Sequence, residues 1–298
     1  MNIRELSGYS KGPETICIKV AGDDASTFLQ GQFSNDINLL EKNIFQYSSY
    51  STNQGKVIAI FRILKDSDKY IILINKEIAD YFIQKLSMYI LMSKVVIEVA
   101  DEYSIVGVCG ETSDNLLRDL DNKNSNGVKR NDGYWILDNN CRNFSSSTLV
   151  YTNIAKGIDC INRLIDEDEL SLNINKLSDY YNGFLRLNIE TKELYIPQVL
   201  NLEKLNGINY KKGCYTGQEI VARTHYLGKI KKKLFLISHS SDSINILSKV
   251  HDDDDEILGE VMSSNLNINQ ETICLAVIRL DSIKKNLYIN KSKINIVN

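Results

Sequence analysis

The sequence predicts an α+β body up to about residue 228 and a small all-β unit after it. Three observations carry this. Short β-branched runs in the first part are joined by tight polar turns. Helical periods fall between groups of strands rather than after each one. After Gly228 no long helical pattern returns. Strands joined by tight turns pair antiparallel, which leaves helices to cover one face of the sheet.

In chain order, TICIKV at 15–20 is the first strand candidate. Gly22-Asp23-Asp24 turns the chain into a short helical stretch, ASTFLQGQF. VIAIFRIL at 57–64 and YIILIN at 70–75 read as hairpin partners broken by Asp66-Ser67-Asp68. From 76 to 91 the period changes. Ile78, Phe82, Leu86 and Tyr89 recur at helical spacing, with Asn75 placed to cap the start. Strands follow at 95–99 and 105–109, a short helix at 112–120, and strands at 134–137 and 147–151. Helical patterns return at 160–167 and 177–187. The second stretch can repeat the architecture of the first, although no convincing internal sequence repeat is visible. Beyond Gly228, strands at 231–237, 257–262, 272–280 and 286–289 suggest a small β barrel or sandwich. HDDDDE at 251–256 lacks calcium-loop spacing and reads as a solvated loop. The division expected is 1–228 and 229–298.

Composition excludes several functions. The 298 residues are 43% hydrophobic, enough for a substantial core and more than one domain. The net charge of −3 is no nucleic-acid footprint at whole-chain level. No signal core or membrane span is visible, so a cytoplasmic protein with reduced thiols is expected. The six cysteines include no CxxC and no zinc-like spacing with histidine, so no stable metal site is expected. Cys17, Cys109 and Cys274 lie in apolar strand-like runs and read as small buried hydrophobes. No glycine cluster matches a dinucleotide or phosphate loop.

Residues 211–223, KKGCYTGQEIVAR, carry the most information. Thr216 and Glu219 form the T-x-x-E pattern of a capping box, with Gly228 a plausible stop. That places Cys214 two residues outside a helix start. Free helical N–H groups, Lys211 and Lys212 would then favour its thiolate. On chemistry alone it is either a reactive thiol or an inert cysteine in a tight turn. From Lys211 to Lys233 there are seven Lys or Arg residues and one acidic residue, a local charge of +6. This basic patch suits a polyglutamate tail, RNA phosphates or an acidic protein, or is a solvated helix face. Tyr215 and Tyr226 are candidates for stacking on a base or pterin.

These residues resemble the YgfZ-like folate-binding family of iron–sulfur cluster assembly, relatives of the glycine-cleavage aminomethyltransferase. The K-G-C-Y-x-G-Q-E signature is complete at 212–219. VAGDDASTFLQGQFSNDI at 20–37, NQGKV at 53–57 and IPQVLNLE at 196–203 resemble other family segments. The resemblance implies an aminomethyltransferase-like body of two related α+β halves around a central cavity, followed by a small β barrel. It implies a tetrahydrofolate or close derivative as ligand and Cys214 as the essential thiol. Expected partners are iron–sulfur enzymes or assembly proteins, among them enzymes that methylthiolate tRNA.

The family's R-x-E-x-G-x-P-type stretch is altered here to RLNIETKELYIPQ, leaving Glu190 as the nearest acidic candidate. Asp36 fits the general pattern rather than a folate-activating aspartate. A pterin needs a flat slot, apolar walls and a carboxylate or amide. Gln54, Glu190, Gln218, Glu219 and Arg223 are the candidates. Glu219 and Arg223 can equally form an ordinary ion pair four residues apart. An accessory factor is expected, with a folate-dependent aminomethyltransferase-type enzyme or an RNA- or protein-binding adaptor as alternatives.

Overall fold

The computed structural model describes residues 5–41, 44–118, 126–130, 134–152, 169–240, 244–268 and 271–297. The chain opens with β1 (Gly8–Lys11), β2 (Thr15–Ala21) and α1 (Ala25–Gln32). Then come β3 (Phe45–Ser51), β4 (Val57–Asp66), β5 (Lys69–Asn75), α2 (Lys76–Ser87) and β6 (Val96–Val99). Strands β2 to β6 form an antiparallel sheet ordered β3-β4-β5-β2-β6. The first eight residues of β4 are buried without alternation, as befits a strand covered on both faces.

Asn75 caps α2 as expected, its Oδ1 accepting the Glu77 N–H at 3.3 Å. Ile78, Ala79, Phe82 and Leu86 bury one face of α2. The helix ends at Ser87, short of the expected 91. The N–H groups of Tyr89 and Ile90 donate three residues back, to Leu86 and Ser87, in tightened closing turns.

The second sheet is ordered β1-β7-β10-β9-β8 and is also antiparallel. It comprises β1, β7 (Tyr103–Cys109), β8 (Gly127–Arg130), β9 (Tyr134–Asp138) and β10 (Ser146–Thr152). It carries α3 (Glu111–Leu117) and α4 (Ile174–Asn182). Strand β1 had no sequence signal, yet it ties the chain's start into this second half. Helix α4 lies upstream of the expected 177–187. Asn173 caps it through the Lys176 N–H, and Gly183, at φ +70°, ends it in the left-handed conformation. The helix expected at 160–167 lies outside the described residues.

Helix α5 (Gln218–Leu227) leads into the last unit. Its strands are β11 (Lys232–His239), β12 (Lys249–His251), β13 (Ile257–Val261), β14 (Leu266–Ile268), β15 (Glu271–Arg279), β16 (Leu287–Ile289) and β17 (Ser292–Ile296). Strands β11-β17-β16-β12-β13-β15 close into a barrel through β11–β15 pairing, with β14 attached to β15. Cys274, Ala276 and Ile278 fill the barrel. The alternate residues Ile273, Leu275 and Val277 pack with Leu177, Leu200 and Leu202 of the body. Barrel and body therefore share a core.

The acidic loop is more structured than expected. Asp252 is buried, accepts the Lys285 Nζ–H at 2.6 Å, and also accepts the N–H groups of Asp254 and Glu256. Asp253, Asp254 and Asp255 are exposed. No described helix is long and apolar enough to cross a membrane.

Candidate functional site around Cys214

Cys214 is exposed, on a loop pinned on both sides. Just before it, Lys212 turns inward and is only 9% exposed. Its Nζ donates to the carbonyl oxygens of Gln30, Phe33 and Asn35 at 2.7, 2.7 and 2.9 Å. This places an ammonium at the carbonyl end of α1, where a cation is favoured. Just after Cys214, the Tyr215 ring is buried, with the Lys212 Nζ 5.2 Å from its centroid. The Thr216 N–H donates to Gly31 O at 3.2 Å, and its hydroxyl donates to Gln32 Oε1 at 3.0 Å. A Cβ on Gly213 would meet nothing within 4 Å, so the loop is open there.

The expected capping box does not form. The residue at the helix cap is Gly217, at φ +82°, with no side-chain cap bond. Thr216 is engaged by Gln32, and Glu219 accepts from Arg223 Nη2 at 2.9 Å on the solvent side. Gly217 occupies the cap because the 52–55 turn presses against it: a Cβ there would lie 2.5 Å from Thr52 O. Cys214 therefore sits three residues before the cap, and the Lys212 ammonium is spent on carbonyl groups.

Three separate stretches meet around this loop and the helix it leads into. Residues 30–36 receive Lys212 and Thr216, and the 52–55 turn packs on Gly217 and Ile220. Tyr195 O accepts the Val57 N–H at 2.9 Å, joining 193–198 to that turn. The buried Gln198 donates through Nε2 to Val221 O at 2.6 Å, tying the same stretch to α5. Fold, not sequence proximity, assembles the signature segments.

Burial pushes the Lys212 ammonium down to about 8, so it remains protonated at neutral pH. Burial pushes Cys17, Cys109 and Cys274 up to about 12. Those three thiols are inert hydrophobes, as their strand context predicted. Among the described residues, no group of three or more His, Cys, Asp or Glu is placed to hold a metal ion.

The remaining candidates are spread over the surface. Gln54, Glu190, Glu219 and Arg223 are exposed, and Gln218 is half-buried. Gln54 and Gln218 flank the contact between the 52–55 turn and α5. None of the five lines the cavities described below. Tyr215, a stacking candidate, is buried instead, and Tyr226 is 67% exposed.

A pocket of about 220 Å³ lies where both halves and the barrel meet. Asn75 and Glu77 line it from the first half, Lys176, Tyr180 and Arg186 from the second, and Ser263 and Ser264 from the barrel. Glu14 reaches Lys176 Nζ across it at 3.3 Å. Carboxylates, cations and an aromatic ring fit a ligand that combines a polar heterocycle with acidic groups. A cleft of about 510 Å³ runs between the two sheets, and one of about 470 Å³ lies beside α5.

Sequence reasoning missed the interior charges. Asp179, wholly buried, binds Arg62 and Arg186, each at 2.5 Å. Burial opposes the Arg62 charge, but Asp179 outweighs it and holds the guanidinium protonated. Arg186 lies only seven residues after Asp179, but Arg62 lies 117 residues before it, and no periodicity pairs that distant arginine with a helical aspartate.

No protein-family model matches the chain. The tRNA-modifying protein YgfZ of Hamiltonella defensa is 31% identical over 229 residues, 74% of this chain and 67% of that protein. The protein of the same name from Colwellia psychrerythraea is 26% identical over 253 residues, 79% of this chain and 75% of its own length. Among solved structures, glycine cleavage system aminomethyltransferase T from Bartonella henselae superimposes with a TM-score of 0.74 at 12% identity. That match covers 100% of this chain and 86% of that protein. It shows the fold: a body of two sheet-bearing halves with a closed carboxy-terminal barrel.

Proposed function

Because this chain belongs to the YgfZ family, we propose that it is a folate-binding accessory factor for assembly or repair of iron–sulfur clusters. Its clients include enzymes that modify tRNA, and it acts as an accessory protein rather than a classical enzyme. The observation that carries this reading is the convergence of three separate chain stretches on the loop and helix that present Cys214 to solvent. A fold that needed only a turn cysteine would not spend a buried ammonium on holding that turn.

The junction pocket is the proposed folate site. Glu14 and Glu77 suit the donor groups of a pterin, and Lys176 and Arg186 suit the carboxylates of its tail. Bound tetrahydrofolate supplies a carrier for one-carbon groups. The chain's own part is to join its three units around the ligand. Gln54, Gln218, Glu219 and Arg223 are assigned instead to the exposed surface on and beside α5, where they would meet a partner, and Glu190 lies exposed two residues from Asn188 of the junction pocket.

Calorimetry with and without reduced tetrahydrofolate tests the ligand. A ligand that binds only the native protein raises the unfolding temperature. Lys176→Glu should remove that rise. Cys214→Ser should retain it while lowering the activity of dependent iron–sulfur enzymes in cells. A Cys214→Ser protein that supports those enzymes normally refutes the role of the thiol. An unchanged melting temperature at ligand concentrations far above micromolar refutes the folate site.

A further inference from the structure

We propose that the exposed surface at the carboxy-terminal half of α5, along the rim of the cleft of about 470 Å³, binds a single-stranded segment of RNA, stacking a base against Tyr226 and taking its phosphates on Lys229 and Lys231. This deepens the proposed link to tRNA modification and depends on neither folate nor Cys214.

Flat rings are already assembled there. Tyr210 stacks on His225, with ring centroids 3.8 Å apart and planes 19° apart. Tyr226 stands edge-on to His225 at 4.8 Å. Glu203 fixes the pair, accepting from the Tyr210 hydroxyl at 2.6 Å and contacting His225 Nδ1 at 2.8 Å. Tyr226 is the free member: 67% exposed at the helix end, it belongs to none of the hydrophobic cores. Rings held in place before a ligand arrives reduce the entropic cost of stacking.

The cleft wall supplies an orphan acceptor. Gln198 is 1% exposed, and its Nε2 is committed to Val221 O and the Tyr210 hydroxyl. Its Oε1 has no hydrogen-bond partner. A buried carbonyl oxygen left unpaired is unfavourable.

Charge completes the match. Lys229 and Lys231 bracket Ile230, which lines the cleft, and both lysines are exposed. Among the described residues, Lys211, Lys229, Lys231, Lys232 and Lys233 form no ion pair. The acidic groups nearby are already engaged: Glu203 by Tyr210 and His225, and Glu219 by Arg223. The patch is thus smaller than the sequence suggested, since Lys212 is buried and Arg223 is paired. What remains is the exposed pair Lys229 and Lys231, with Lys211 also exposed, near exposed ring surface. Duplexes hide their base faces, and an acidic peptide has no need of an aromatic plane, so single-stranded RNA is the occupant the surface favours.

The test is fluorescence anisotropy of a labelled single-stranded 12-nucleotide RNA, titrated with the full-length protein at several salt concentrations. Wild type should bind with an affinity that falls as salt rises. Tyr226→Ala should weaken binding about 10-fold or more, and Tyr226→Phe should restore it. Lys229→Glu with Lys231→Glu should weaken it further and flatten the log–log salt slope by at least about 1.4. Thermal melts of each variant, with and without tetrahydrofolate, show whether fold and folate site survive. Lost RNA binding with the folate response intact in wild type sinks this inference alone; the reverse sinks the folate reading alone. Absence of salt-dependent binding overturns the proposal. So does displacement by polyaspartate that is equal for wild type and Tyr226→Ala, which would mark an acidic-protein surface.

Discussion

Replacing Lys212 with Met should be the most damaging single change near the site, although its side chain is not the reactive one. The substitution keeps the aliphatic stem and removes three N–H···O bonds of 2.7–2.9 Å. Hydrogen bonds from a charged donor contribute roughly 1.5–3 kcal/mol each. The three share one ammonium whose burial is itself costly, so they do not sum. No charge is left stranded by the change; it leaves three carbonyl oxygens short of a donor and removes the ammonium's burial cost, so the net loss is roughly 1.5–3 kcal/mol. Urea denaturation of the variant at pH 7 should show a loss of that size, and alkylation of Cys214 should no longer follow the wild-type rate. Arg should not substitute, because a planar fork cannot point three donors at three converging carbonyl groups. The pH dependence has a definite sign. Burial lowers the folded-state value to about 8 from 10.5, so above 8 the unfolded chain holds this proton more tightly. The charge penalty is fully present below 8 and is relieved as pH rises. The deficit of the Met variant should therefore grow by roughly 1.4 kcal/mol per pH unit between about pH 8.5 and 10. A loss below about 1 kcal/mol at pH 7 would refute the anchoring argument.

Three further outcomes are expected. Iodoacetamide on the native protein should label Cys214 before Cys17, Cys109 or Cys274, whose burial pushes them up to about 12; peptide mass mapping that finds a strand cysteine first would overturn this. Asp179→Asn should cost about 3–5 kcal/mol in urea unfolding, because it strands two guanidinium groups in the interior. The division at residue 228 is proposed as a change of architecture rather than a boundary between independent folding units. A fragment ending there should lose the Leu234, Leu236 and Leu275 side of its core and fail to melt cooperatively; a fragment melting like the full chain would refute the shared core.

Much of the architecture was legible because it is written locally. Strands β4 and β5 announce themselves by composition, and Asn75 marks a helix start whose cap bond exists. The absence of helical period pointed to a barrel or sandwich, and the resemblance implied the barrel that the closed β11–β15 pairing forms. What stayed hidden depends on partners far along the chain. Strand β1 is four residues long, and only pairing with β7 makes it a strand. The T-x-x-E pattern at Thr216 and Glu219 is a local rule that lost to two tertiary contacts: Gln32 takes the hydroxyl, and the 52–55 turn forces a glycine into the cap. The signature lysine looked like a charge beside the thiol because sequence adjacency does not say which way a side chain turns. The Tyr210–His225 stack joins residues 15 positions apart through Glu203, which no period reveals.

The division of labour around Cys214 also constrains its chemistry. One cysteine cannot close the ligand set of an iron–sulfur cluster, and no described group of acidic, histidine or cysteine residues supplies the rest. Under the proposed function the sulfur would act on a second molecule: as a soft ligand completing a partner's site, as a thiolate exchanging with a partner's sulfur, or in an adduct with a folate-borne carbon. Each use calls for an exposed sulfur on a backbone that does not yield. The loop supplies both: Gly213 is open on one side, while Lys212, Tyr215, Thr216 and Gly217 are fixed against 30–36 and 52–55. Because the anchor and the thiol are separate residues, they can be separated by experiment. Cys214→Ser should lower function on a native fold, whereas Lys212→Met should reduce function in proportion to lost stability. If both variants lost function equally while only one lost stability, the loop geometry itself would be part of the chemistry.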